Sequence, residues 1–489
     1  MNKIGIHPRT TRLARLSRYD KILALLFVLS LPLVNPWVRG DGVGYYAFGR
    51  ALLIQHDLDF KQDWLRANSS FRSGRTDEKG NLLPMEYTST GHVDNHFSIG
   101  PAILWSPFLL AAHLFVLSYD AFGGHVPLDG FAKPYVVSIA LGTALYGFLC
   151  LWISFHLARK YLSEQYAFLA TLGIWFASSL PIYMYFNPSW SHPLSAFIVA
   201  LFIWYWDRTR GGRWWSEWVI LGAMGGLMMD MYLPNAILLI FPALESLSTY
   251  WQELAQRDLK SVGREILKNA AFAVVVLGAF LPTLITKKVI YGSYFKFGYE
   301  NLWSLNSPAI LKVCFSADHG LFSWTPITIP AVIGMWLLRR RDRILGLYSI
   351  IAFAVFLYLI GCYTDWDGLS SFGNRFFVSL TVLFVVGLAG FVDYFARIWN
   401  EQRAWLVSQA VTILLILWNF GLIFQWGTHL IPARGPISFR HAAHNQVTVV
   451  PVQMARTLKR YLTHRGQLMG YIEQEDVRQL QSQQPAGSE

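Results

Sequence analysis

The sequence predicts an all-α polytopic membrane protein with about eleven transmembrane helices, and three observations carry that expectation. Only 15% of its 489 residues are charged, whereas a soluble domain carries about 25%. Hydrophobic residues make up 54% of the chain, in recurring apolar runs of about 16 to 24 residues, long enough as helices to cross a ~30 Å hydrocarbon core. The net charge of +11 sits largely in short turns between those runs, a membrane-topology pattern that argues against nucleic acid as a partner. Helices are the spanning form because a lipid-exposed backbone must satisfy its own hydrogen bonds, and the short alternating strands of a barrel are missing. Three cysteines, Cys150, Cys314 and Cys362, suggest no disulfide framework.

The N-terminal segment 1–21 is basic and reads as cytoplasmic. The first span, ILALLFVLSLPLVNPWV, is followed by no small-residue cleavage site and reads as uncleaved. Further spans fall near 134–157, 166–185, 191–206, 216–230, 233–248, 269–289, 324–338, 344–362, 376–395 and 404–424. The basic turns at Arg159–Lys160, 207–213, 257–268, 339–343 and 397–403 all belong inside by the charge rule. The apolar run 99–118 decides the parity. As a span it would place all those turns outside. Lying along the outer face, or dipping in and returning, it leaves them inside. Pro101, Pro107 and the polar return YDAFGGHVPLDGFAK favour the second arrangement. The expected topology is N-in and C-out, with a transmembrane domain 22–424. Its first outer loop, 39–133, is long. Residues 186–190, 290–323 and 363–375 also face outward, and 425–489 is a short extracytoplasmic tail, read as a partly disordered end.

The outward segments hold the candidate chemistry. Asp41 follows the first span at the membrane edge, where a lipid head group would lie, and Tyr45 and Tyr46 come next. Glu86, Asp94 and His96 lie in EYTSTGHVDNHFSIGP, His192 in FNPSWSHP, and Asp230 at the helix break MMDMYLPN. His319 lies in FSADHGLFSW and Arg375 in YTDWDGLSSFGNR. Together they would line one outward cavity suited to a sugar. Aromatic rings cover a sugar's apolar faces and carboxylates meet its hydroxyls, while arginine or histidine suits a phosphate. Bland roles compete. Tyr and Trp gather at membrane interfaces without a ligand. Asp57, Asp59 and Asp63 read as solvated loop acids. Asp230 reads equally as a helix cap or a functional acid. No histidine spacing matches a metal motif, and no P-loop or dinucleotide fingerprint is present.

The stretches GDGVGYYAFGRALL, NHFSIGPAILWSPF, NPSWSHPLSAFIVAL, FSADHGLFSWTP and DWDGLSSFGNRFF, in that order over roughly residues 20 to 400, resemble the GT-C superfamily of polytopic membrane glycosyltransferases. That superfamily includes protein O-mannosyltransferases and lipid A aminoarabinose transferases. The resemblance implies juxtamembrane helices in the first outer loop, Asp41 as the catalytic base, and an inverting transfer. Two departures stand out. His192 falls near a position where many relatives carry an acid, and His96 near one where many carry lysine. A divalent metal, which some relatives use, is therefore an open question, and no other cofactor is expected.

The expected donor is a sugar on a polyprenyl phosphate, delivered through the membrane. The acceptor is a glycan, lipid or protein hydroxyl. Asp41 would take the hydroxyl proton, and Arg375, His96 and His319 would hold the departing phosphate. Asp94, Glu86 and His192 would orient the acceptor or the base, with Tyr45, Tyr46 and Asp230 as further substrate contacts. The expected location is a bacterial inner membrane, with the site on its extracytoplasmic side. Two other readings compete. A flippase of lipid-linked sugar would use the same cavity but usually shows internal repeats, and none is evident. An assembly protein would bind a partner through its outer loops and basic tail.

Overall fold

The structure, a computed structural model, describes residues 16–483. The basic residues 1–15 and the last six residues of the tail lie outside the described part. Among the described residues no strand forms, and extended pairing is limited to isolated bridges such as Tyr87–Val93 and Trp303–Tyr363.

Helix α1 (Arg18–Ser30) starts in a capping box: the Ser17 hydroxyl accepts from the Tyr19 and Asp20 amides, and Asp20 accepts from the Ser17 amide. The segment between α1 and α6 holds α2 (Asp41–Arg50), α3 (Lys61–Leu65), α4 (Ser69–Arg72) and α5 (Gly100–Ala121). Then follow α6 (Lys133–Tyr161), α7 (Glu164–Phe176), α8 (His192–Thr209), α9 (Trp215–Met231), α10 (Ile240–Ala255) and α11 (Leu259–Tyr291). Short α12 (Ile310–Phe315) and α13 (Leu321–Trp324) precede α14 (Thr328–Leu337), α15 (Arg343–Cys362), α16 (Thr381–Ile398) and α17 (Glu401–Gly427). The chain closes with α18 (Phe439–Thr448), α19 (Val450–Thr463) and α20 (Arg465–Gln483).

Six described helical segments are long and apolar enough to cross a membrane: α5, α6, α11, α15, α17, and α16 with the turn before it. The other expected spans correspond to shorter or interrupted helices. A π-helical turn, Ile182–Phe186, follows α7, and the 3-10 stretch Leu233–Leu239 separates α9 from α10. Helix α16 is the axis of the bundle. Its apolar residues are buried almost throughout, against α14, α6, α7 and α17.

The basic turns converge on one end of the bundle. Asp20 accepts from Trp152 at 2.7 Å and from Arg159 at 3.1 Å. Lys160 pairs with Asp207 at 2.6 Å, Arg213 with Glu245 at 2.7 Å, and Arg341 with Asp393 at 2.7 Å. Arg210 pairs with Asp342. Each acid is a partner that lets a cation sit close to an apolar bundle, where an unpaired charge is costly.

Helix α5 packs antiparallel to the first half of α6. Tyr146 donates to the Leu104 carbonyl at 2.9 Å, Trp105 to Thr143 at 2.8 Å, and His113 meets Tyr135 at 2.8 Å. Its first residue, Gly100, lies against the backbone of Asp230 and Met231 at the end of α9. The second half of α6 is paired with α1, through the stacked rings of Phe27 and Phe148 and through Asp20. Thus α5 starts at the middle of α6 and runs back toward the end that lacks the basic turns.

Two expectations are corrected. Asp63 is not a solvated loop acid. It is buried against Arg50, Nε to Oδ1 at 2.7 Å, and burial lifts its carboxyl to about 6 although Arg50 pulls the other way. The tail is not a disordered end over its described part. Residues 439–483 are helical and fold back on the bundle.

The placement of α5 can be checked by labelling. Single cysteines at the exposed Asp57 and Asp120, before and after α5, should react with an impermeant maleimide from the same side of the membrane. A cysteine at Arg208 should react only from the other side. Labelling of Asp57 and Asp120 from opposite sides would mean that α5 crosses.

Candidate functional site

A cavity of about 1480 Å³ opens at the end of the bundle away from the ion-paired turns. The sequence around Asp41 explains how its wall is built. Gly40 has φ +54, a left-handed turn that favours glycine, and it starts α2 at Asp41. A Cβ at Gly42 would overlap the Ser189 side chain, and one at Gly44 would overlap the Phe97 ring. The GDGVG run therefore seats α2 directly on the 186–192 tip and on the NHF segment. Trp190 comes to Gly40 and donates from its indole to the Arg39 carbonyl at 3.0 Å.

Arg375 enters from the far loop and completes the centre. Its Nη1 lies 2.7 Å from Asp41 Oδ2, and its guanidinium lies 4.5 Å from the Trp190 ring centroid. The arginine side chain is only 11% exposed, and its Nε has no hydrogen-bond partner. Asp41 itself is 29% exposed and keeps an open face toward the cavity. A guanidinium that lines a cavity and is paired with a single carboxylate suits an anion.

Around this pair, Tyr45, His96 and His192 also line the cavity. Burial and then Asp41 hold the Tyr45 hydroxyl protonated. His192 is buried and sits edge-on to Tyr183 at 4.6 Å. His96 packs on Phe97 and Tyr299, and burial keeps it neutral by lowering its pKa to about 4. Tyr232, Tyr299, Trp303 and Tyr363 add aromatic wall.

The remaining candidates stand behind the wall. Tyr46 is buried and donates to the Gly130 carbonyl, facing away from Tyr45. Glu86 accepts from Arg75 at 2.8 Å, and Arg75 reaches the cavity. Asp94 accepts from the Tyr291 hydroxyl. Asp230 accepts from the Thr283 hydroxyl at 2.5 Å, and Thr283 forms the wall. His319 lies under Trp324, 4.8 Å between rings, and is kept neutral, near 4, by burial and then by Arg375. It supports the centre without facing it.

Sequence reasoning missed Lys287. Buried on the cavity wall, its ammonium donates to the carbonyls of Asn95, His96 and Phe97 at 3.2, 2.9 and 3.0 Å. It pins the NHF segment, which precedes α5, to the last part of α11. The signal was present: a lysine in the last turn of an apolar span is costly unless it has a task.

No family model and no curated protein matches the chain. Solved structures are similar to it. One of them is described as ArnT from Cupriavidus metallidurans bound to undecaprenyl phosphate. The match has 17% identity and a TM-score of 0.46, and it covers 93% of this chain and 73% of that one.

The residues present do not fit a divalent metal. Among the described residues no three His, Cys, Asp or Glu side chains are grouped to hold an ion. Asp41, the best oxygen ligand, is committed to Arg375.

Much of the remaining lining is apolar, including Leu33, Phe186, Leu233, Phe280, Leu359 and Phe420. Helices α19 and α20 contribute Met454, Leu458, Tyr461 and Ile472 to it.

A pH test follows from His96. Between pH 6.5 and 4 the unfolded chain takes a proton that the folded chain refuses, so stability is greatest above 6.5 and falls with acidification. Thermal unfolding of the purified protein at pH 7.5 and 5 should show a smaller drop in Tm for His96→Gln than for the wild type. Equal drops would mean that His96 titrates normally.

Proposed function

We propose that this protein is a glycosyltransferase that moves a sugar from a polyprenyl phosphate to an acceptor hydroxyl, with inversion. The observation that carries it is the Asp41–Arg375 pair at the centre of a cavity whose outlying walls are apolar. A phosphate on a long lipid needs both parts: a cation held out of water, and a greasy groove leading to it. The order of motifs noted in the sequence implies the same chemistry.

In this reading the donor phosphate docks on the Arg375 guanidinium and its chain lies along the apolar part of the cavity wall. The sugar rests among Tyr45, Tyr232 and Trp190, whose rings suit its C–H faces. The acceptor oxygen attacks the anomeric carbon from the side opposite the phosphate. The bond between that carbon and the phosphate oxygen breaks, and its electron pair leaves with the phosphate. The hydroxyl proton passes to Asp41. Arg375 meets the charge that develops on the leaving group, and its fixed seat on Trp190 means that little reorganisation is needed. Proton transfer to Asp41 then weakens its hold on Arg375 just as the phosphate gains charge. The site would lie on the extracytoplasmic face of the inner membrane, facing a glycan, lipid or protein acceptor.

The test is transfer by the purified protein from a panel of polyprenyl-phosphate sugars to membrane lipids and glycans, read by mass. Asp41→Asn should lower kcat by about 100-fold or more, the scale of a lost general base, with donor binding retained. Arg375→Lys should weaken both donor binding and kcat, because lysine lacks the planar fork. Full transfer by Asp41→Asn would overturn the reading. Flipping of the lipid without transfer by the wild type would point to a transporter instead.

A further inference from the structure

The segment 31–40, which links α1 to α2 and delivers Asp41, is gripped by the C-terminal helices. Tyr461 donates to the Leu33 carbonyl at 2.7 Å, and Arg465 donates to the Pro32 carbonyl at 2.6 Å. Asn35 meets the Met469 sulfur at 3.3 Å. Two carboxylates of α20 then act on the residues immediately before Asp41, one directly on Arg39 and one on Gly40 through Asn68. Asp476 pairs with Arg39 and also accepts from His429 Nε2 at 2.9 Å. Glu473 accepts from Asn68 at 3.0 Å and from the Ser70 amide at 2.6 Å, and Asn68 in turn accepts from the Gly40 amide at 3.4 Å.

These contacts lead into the centre by two routes. Arg39 offers its carbonyl to the Trp190 indole, and Trp190 is the plate on which Arg375 lies. Gly40 is the left-handed residue whose conformation sets the start of α2. Burial would raise the Asp476 carboxyl, but the His429 bond and Arg39 outweigh it and keep it ionised. A fixed anion on α20 is therefore matched to a fixed cation two residues before the candidate base.

We propose that α20 is a positioning element for the reaction, with Asp476 and Glu473 holding the Arg39–Gly40 turn so that Asp41 faces the acceptor. This rests on Asp41 being the base. Neither carboxylate takes part in bond making; each acts through the turn.

The experiment uses the full chain in lipid nanodiscs, with Asp476→Asn, Asp476→Glu, Glu473→Gln, Arg39→Gln and the double variant Arg39→Gln/Asp476→Asn. Two readouts are taken: amide hydrogen exchange over residues 39–42, and kcat and KM for the polyprenyl-phosphate sugar. Exchange over 39–42 should quicken in Asp476→Asn and Glu473→Gln. Their kcat should fall by about 10- to 100-fold, as expected for a misplaced catalytic group, with donor KM within about twofold. Asp476→Glu should recover part of the loss, and the double variant should be no worse than its poorer parent. Unchanged exchange in the two carboxylate variants overturns the proposal. So does faster exchange with unchanged kcat, or a rise in KM alone, which would make α20 a binding surface. If the wild type transfers no sugar, the proposed function fails, while exchange over 39–42 still decides whether α20 holds the turn. If Asp476→Asn does not fold, Glu473→Gln and Asp476→Glu carry the same comparison.

Discussion

The site is organised around one ion pair, Arg375 with Asp41. A guanidinium so nearly withdrawn from water needs a carboxylate, and leaving it alone would cost several kcal/mol. That need draws together parts of the chain far apart in sequence. The loop before α16 supplies the cation, and the turn before α2 supplies the anion. The tip after α7 supplies the indole plate between them. Glycines at 42 and 44 let these segments approach closely enough for the pair to form. The aromatic and apolar walls of the cavity are arranged about this point.

The two ends of the bundle handle charge in different ways. At one end, cations and acids cancel in several separate pairs that tie helix to helix. At the other, the Arg375 pair faces an open cavity with one donor uncommitted. The first pattern joins helices and leaves little for a ligand to take. The second holds a cation in place without satisfying all of it. That contrast argues for chemistry at the cavity end more strongly than the number of polar residues there does.

Much of the architecture was legible in composition and charge. The helical class followed from apolar runs, and the turns that the charge rule grouped on one side do meet in ion pairs. Proline and parity predict that 99–118 does not cross, and α5 does run back along the first half of α6, although its length and apolarity also suit a span. Other features needed tertiary context. Asp63 looked solvated because its partner, Arg50, lies on the inward face of α2. Tyr45 and Tyr46 are adjacent in sequence, but helical neighbours point about 100° apart, so only one reaches the cavity. His319, expected to hold the phosphate, packs against Trp324 and is not part of the cavity lining. The tail was misjudged from its polar end. Val450, Met454, Leu458 and Tyr461 already carried the spacing of a helix with one apolar face.

The grip of α20 on the Arg39 turn has a consequence for biosynthesis. A polypeptide emerges from its amino end, so Asp41 is threaded into the bilayer long before residue 476 has left the ribosome. During that interval the nascent protein lacks the contacts that hold the Arg39–Gly40 turn just before Asp41. The order of translation thus makes the clasp one of the last parts of the molecule to close.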